Sequence, residues 1–176
     1  YNHIVKQHKL NTNYKMIIDV YNHYIFGYLD LLSQVRLMAT CRNFMINLDI
    51  TDMYNIDDKY KKLLTQTIID RYINLKKLYA SNNSKITNVN HLMKLEILDA
   101  SRNCGINDAG IVNCINLKSL DAHDNSEITN VNHLVNLEIL DASESCGIND
   151  AGIVDCINLK SLFASYNSKI TRSEER

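Results

Sequence analysis

The side chains in this sequence that could do acid–base or nucleophilic chemistry are few and scattered. His91 and His133 are copies of one position in an internal repeat, whereas His123 occurs once. None of them stands in a Ser/His/Asp or Cys/His pattern of the kind that hydrolases use. We therefore expect no catalytic residue and no enzyme activity.

A Gly-Ile-Asn-Asp-Ala-Gly stretch occurs twice, at residues 105–110 and 147–152. A phosphate-binding loop needs a Lys followed by Ser or Thr, or a G-x-G-x-x-G spacing, and both stretches lack these features. The two stretches therefore predict turns at their glycines, and we expect the protein to bind no cofactor.

The chain has five cysteines, of which four are set by the repeat and one, Cys41, precedes it. No C-x-x-C pair occurs, so we expect no zinc site and no other metal site. The pattern favours reduced thiols that act as small apolar fillers. Reduced thiols are typical of a cytoplasmic or nuclear protein.

An internal repeat positions most of these residues. Residues 73–114 match residues 115–156 at 32 of 42 positions, and a third copy runs from Ile157 to Thr171. Each unit contains the motif Leu-x-x-Leu-x-Ala twice, and successive motifs are alternately 20 and 22 residues apart. The motifs begin at Leu75, Leu95, Leu117, Leu137 and Leu159. A fixed period in the twenties predicts a leucine-rich-repeat solenoid, which usually provides a binding surface.

Each Leu-x-x-Leu-x-Ala stretch predicts a strand with its Leu and Ala side chains in the core. Five strands are expected, and each 22-residue spacing predicts one short helix. The residue three positions after each Ala is Asn83, Asn103, Asn125, Ser145 or Asn167. We expect the asparagine side chains to bond the backbone of neighbouring turns.

Outward-pointing strand positions should line the concave face of the solenoid. Five of ten such positions differ between the first two units, against five of the other 32. Relaxed constraint on exposed residues would also explain this difference; a binding role is the alternative that solenoid architecture favours. An acidic row between aromatic residues would suit a basic or mixed peptide segment of a partner protein. The predicted contact residues are Tyr79, Asp99, Asp121, His123, Asp141, Phe163 and Tyr166.

The overall composition adds exclusions. The formal net charge is −1, which gives no electrostatic reason to expect nucleic acid as a partner. No apolar run approaches the roughly 18 residues that a membrane span needs, so we expect no membrane partner. No charged-then-apolar signal segment opens the sequence, which begins at Tyr1 without Met, so its opening indicates no compartment.

The segment before the repeat has helical periodicity from Tyr14 onward. We divide the chain into a loose arm (1–13), a helical module (14–50), a linker and capping helix (51–72), the repeats (73–171) and a tail (172–176). The predicted fold class is therefore α plus α/β, with a small helical module followed by a short solenoid.

Residues 25–30 read Ile-Phe-Gly-Tyr-Leu-Asp and are followed by Val35, Leu37, Cys41-Arg42 and Phe44. This segment resembles the F-box, and the repeats look like the cysteine-containing leucine-rich type. The whole is similar to the F-box/leucine-rich-repeat proteins of giant DNA viruses of amoebae. The departures are Ile17-Ile18, where the family has Leu-Pro, and Gly27, where it has a small polar residue.

The resemblance implies a substrate receptor of a Skp1–cullin–F-box ubiquitin ligase, located in the host cytoplasm if the protein is viral. A Skp1-like partner would bind through Ile17, Ile25, Leu29, Val35 and Leu37, and the repeats would hold an unidentified protein substrate. The alternative is a leucine-rich-repeat binding protein whose helices only cap the solenoid, without a link to ubiquitin. A partial or decayed reading frame is a third interpretation, because no capping element follows the last repeat.

Overall fold

The computed structural model describes residues 50–55 and 61–171, which belong to the unit Ile50–Arg176. The predicted arm, the helical module up to residue 49 and the tail lie outside the described residues. The same is true of the predicted Skp1-contact residues, Ile17, Ile25, Leu29, Val35 and Leu37.

Six short strands form one parallel sheet in which each strand pairs with the next one along the chain. The repeating Leu of each strand aligns with that of its neighbour, as Leu78 does with Leu98. The fold is a repeat solenoid and is compatible with a leucine-rich-repeat-like architecture. The strands are β1 (Asp52–Met53), β2 (Lys77–Tyr79), β3 (Ile97–Asp99), β4 (Ser119–Asp121), β5 (Ile139–Asp141) and β6 (Ser161–Phe163).

The prediction of five strands was wrong by one, because β1 adds a strand in front of the repeat. Met53 takes the place of the repeating Leu: it is 1% exposed and pairs with Leu78. An unbranched Met fills an irregular core space without the leucine signature. This strand begins a segment that we had assigned to a linker and a helix.

The core lies behind the sheet and is built from the repeated apolar positions. Leu75, Leu95, Leu117 and Leu137, the first Leu of four successive strand motifs, are all fully buried. Full burial of one such side chain is worth about 2 kcal/mol. The repeat therefore provides most of the stabilisation that holds one coil on the next.

The connections contain two short α-helices, α1 (Gln66–Ile69) and α2 (Asp108–Ile111), and a 3₁₀ turn at Asp150–Ile153. The helix predicted in each 22-residue spacing is confirmed, as an α-helix in one and a 3₁₀ turn in the other. Asn107 caps α2, since its side chain accepts a hydrogen bond from the Gly110 N–H at 3.1 Å. None of the helices in the described residues is long and apolar enough to cross a membrane.

The 20-residue coils, which we call short coils, use the predicted asparagine as a bridge. Asn125 Nδ2 donates to the carbonyl oxygens of Ala100 and Ile106 in the preceding coil at 2.6 and 3.2 Å. Asn167 repeats these bonds one unit later, to Ala142 and Ile148. The prediction that these amides bond neighbouring turns is confirmed in the short coils.

The 22-residue coils, which we call long coils, have no asparagine bridge. The prediction that Asn103 would bond the backbone of a neighbouring turn was wrong. This residue is exposed, whereas Cys104, one position later, is buried. The Gly105 N–H donates directly to Asn83 O at 3.3 Å. A Cβ at Gly105 would lie 2.6 Å from Ser84 O, so glycine allows the close backbone approach through which the long coil bonds the preceding coil.

Candidate functional site

The predicted contact residues meet on the face of the sheet that points away from the core, which we call the strand face. Its central row consists of Tyr79, Asp99, Asp121, Asp141 and Phe163, each paired in register with the next. Parallel neighbours lie about 4.8 Å apart, so the three aspartates form a closely spaced acidic row with an aromatic residue at each end.

The aspartates of this row have a structural role in their own turns. The carboxylate of Asp99, Asp121 or Asp141 accepts a bond from the backbone N–H two residues further on, at 3.0–3.1 Å. This local bond stabilises the turn that follows each strand. It accounts for Asp at this position whether or not a partner binds.

Asp99 is the predicted contact residue that the structure hides, since only 6% of it is exposed. Ser101 Oγ donates to its carboxylate at 2.6 Å and lies 2.7 Å from Ser81 Oγ. Burial, with a smaller contribution from the charge of Asp121, raises the pKa of Asp99. A partner on the strand face would therefore meet Asp121 and Asp141 before it met Asp99.

The end of the row nearest the N-terminus carries an aromatic pair that sequence reasoning missed. Tyr54 packs edge-on against Tyr79, with ring centroids 6.0 Å apart, and Lys61 Nζ lies 3.9 Å from the Tyr79 centroid. Burial raises the pKa of Tyr54, and the nearby Asp99 and Asp121 charges raise it further. Neither Tyr54 nor Lys61 belongs to the repeat, so no periodic signal marked them.

The opposite end of the row is open. Phe163 is 55% exposed and Tyr166 is 89% exposed. Tyr166 also has a φ of 62°, in the left-handed region that a bulky side chain rarely adopts. Phe163 pairs in register with Asp141, and the two exposed aromatic rings make this end suitable for contact with another molecule.

His123 lies in the middle of the face and contacts the acidic row directly. Its Nδ1 is 2.7 Å from Asp121 Oδ1. Asp121, His123 and Asp141 are all half-buried and can place one ligand-type atom each within 4.8 Å of the other two. The structure therefore brings three of the predicted residues into one cluster.

A second row of charges runs beside the central row, at the beginning of each strand. Lys118 Nζ lies 2.9 Å from Glu96, and Lys160 Nζ lies 2.8 Å from Glu138. The hydrogen bond from Lys118 lowers the pKa of Glu96, and that from Lys160 lowers the pKa of Glu138. The positive and negative charges cancel within each pair, so the acidic character of the face comes from the central row.

The four cysteines in the described residues are free and buried: Cys104, Cys114, Cys146 and Cys156. Burial raises the pKa of Cys104 and of Cys114 to about 11. Their thiols are therefore poor nucleophiles and serve as core residues.

The Gly-Ile-Asn-Asp-Ala-Gly stretches join coils. The Asp108 carboxylate accepts bonds from Thr129 N at 2.7 Å and Thr129 Oγ1 at 2.6 Å. Asp150 makes the corresponding bonds to Thr171. These contacts give the repeated Asp a role in fixing one coil against the next.

No protein-family model matches this chain, and no curated protein matches it. The class that the fold defines is a repeat solenoid with one parallel sheet and a strand face of mixed acidic and aromatic character.

Proposed function

We propose that this protein is an interaction adaptor whose solenoid binds a partner protein through the strand face. The observation that carries the proposal is the central row, in which an acidic middle lies in register between aromatic ends. The two units also differ more often at strand-face positions (five of ten) than at the other positions (five of 32). Framework residues are retained while the exposed face varies, as is usual for binding solenoids.

The chemistry of the face favours a basic segment in an extended conformation. The distance from Tyr79 to Phe163 covers four strand spacings, or roughly 19 Å. An extended chain rises about 3.3 Å per residue, so about six residues would span the row. Arg or Lys side chains would meet Asp121 and Asp141, and apolar groups would pack on Phe163.

A peptide array tests this proposal. Hexapeptides with different Lys and Arg content are probed with the full chain in EDTA, and the bound chain is measured for each peptide. We expect enrichment of basic peptides. This enrichment should be lost in the double variant Asp121→Phe and Phe163→Asp, which exchanges the residues of the second and third copies at this position. Asp155→Asn is the matched control, because it removes an exposed carboxylate elsewhere and restores the residue that the first unit has at position 113. A wild-type chain that shows no basic preference would refute the proposal.

We further propose that the N-terminal segment couples this solenoid to a Skp1-like partner, so that the bound protein becomes a substrate for ubiquitin transfer. Support comes from the F-box resemblance of residues 17–44. In a pull-down with Skp1, wild type should bind, while Leu29→Asp and Val35→Asp should each weaken binding. If Skp1 does not bind although basic peptides do, the solenoid is a binding protein without a ubiquitin link.

A further inference from the structure

The cluster of Asp121, His123 and Asp141 brings together three atoms of the types that bind transition metals, one imidazole nitrogen and two carboxylate oxygens. Metal–nitrogen and metal–carboxylate bonds are about 2.0–2.2 Å long, so two ligands of one ion lie at most about 4.3 Å apart. The three ligand-type atoms here already lie within 4.8 Å of one another. Small side-chain rotations would close the remaining gap.

The repeat supplies a second, independent observation. The position of His123 is Ser in the other four coils (Ser81, Ser101, Ser143 and Ser165). The position of Asp121 is Tyr in the first copy and Phe in the third. The imidazole is thus a departure from all the other coils, whereas Asp121 has the residue that Asp99 and Asp141 have at the same coil position. Asp121 ends the strand that pairs with the strand of Asp141, and His123 lies in the turn that follows it.

The charges around the cluster are unbalanced. Like charges at directly opposed positions on neighbouring strands destabilise a sheet, and Asp121 is paired in register with Asp99 on one side and Asp141 on the other. In the described part of the chain, lysine ion pairs go to Asp52, Glu96 and Glu138, and none goes to this row. A divalent cation would neutralise two carboxylates at once.

Although the sequence led us to expect no metal site, we propose from this geometry that Asp121, His123 and Asp141 bind one divalent transition-metal ion of the Zn²⁺, Co²⁺ and Ni²⁺ class. An imidazole nitrogen with two carboxylate oxygens favours these ions over Mg²⁺ and Ca²⁺, which prefer oxygen alone. His123 Nδ1 would exchange its hydrogen bond with Asp121 for a bond to the ion. The ligands come from two successive coils, so the ion would fasten one to the next.

The test is a titration of the full metal-free chain with Co²⁺, followed by visible absorption, and with Zn²⁺, followed by calorimetry. We expect one ion per chain and at most weak binding of Mg²⁺. The variants His123→Ser and Asp141→Asn should each lose affinity at least tenfold, as even the loss of a residue that supports a ligand costs 10- to 100-fold. Asp155→Asn, away from the cluster, should bind as wild type does.

His123→Ser introduces the residue that four other coils carry, so the fold should survive, and circular dichroism of the metal-free variant checks this. Asp121→Tyr combined with His123→Ser restores the motif of the first copy and provides a second folded variant without the site. Absence of stoichiometric Co²⁺ and Zn²⁺ binding, or equal binding by wild type and His123→Ser, would overturn the proposal. The peptide assay is run in EDTA, so its failure and a failure of metal binding are separate results.

Discussion

The asparagine bridge of the short coils allows a prediction with a control inside the same repeat. Asn125 is 1% exposed and donates to Ala100 O and Ile106 O at 2.6 and 3.2 Å. Its Oδ1 accepts from the Glu127 N–H at 3.0 Å. Asn125→Ala removes all three bonds and leaves two inner carbonyl groups without the amide that satisfies them.

The cost follows from these groups. A buried polar group that loses its partner costs about 1–3 kcal/mol, and part of the cost is recovered if water reaches the rim of the coil. We expect the free energy of unfolding to fall by about 2–4 kcal/mol in total. For a unit of this size, this corresponds to a fall in melting temperature of roughly 10 °C.

Asn103→Ala is the matched variant, since Asn103 has the same repeat position but is exposed. Its change should stay within about 0.5 kcal/mol. Urea unfolding followed by circular dichroism measures both variants, and hydrogen exchange should show faster exchange at the Glu127 amide in Asn125→Ala alone. If the two variants unfold at the same urea concentration, the asparagine bridge does not stabilise the coil and the reasoning is wrong.

Three further predictions concern single groups. Because burial raises the pKa of Asp99, the fold favours the protonated side chain. The free energy of unfolding therefore falls as the pH rises through the folded pKa and the side chain becomes charged. Asp99→Asn should therefore be more stable than wild type at pH 7, and urea titrations should show this difference shrinking as the pH falls through the folded pKa and disappearing below about pH 4. With a pKa of about 11, Cys104 and Cys114 are only about 0.1% thiolate at pH 8. Cys41→Ser leaves only the four buried cysteines, so this variant should react with Ellman's reagent only when urea unfolds it. Glu144 has a φ of 60°, and Glu144→Asn should raise the free energy of unfolding by up to about 1 kcal/mol in urea denaturation.

The strands of the repeat could be predicted because the Leu period reports burial directly. Leu78 and Leu98 lie on the same side of neighbouring strands, and their spacing alone predicts that pairing. The register of the central row followed from the same spacing. Its role in binding stays a prediction.

The remaining features depend on contacts between residues that no period connects. Met53 is recognisable as a strand residue only through its pairing with Leu78. The burial of Asp99 depends on Ser101 and on the packing around it. The difference between Asn103 and Asn125 depends on a close backbone approach at Gly105, which a side-chain pattern does not show.

The cross-coil bonds also explain why the chain repeats in pairs of coils. A short coil reaches back to the preceding long coil through its asparagine, as Asn125 does to Ala100. A long coil holds the following short coil through its aspartate, as Asp108 does to Thr129. Two successive coils are therefore complementary and not interchangeable, so a duplication that copies both keeps every bond. The strand-face side chains take no part in these bonds, and for this reason His123 can stand where the other four coils have Ser without disturbing them.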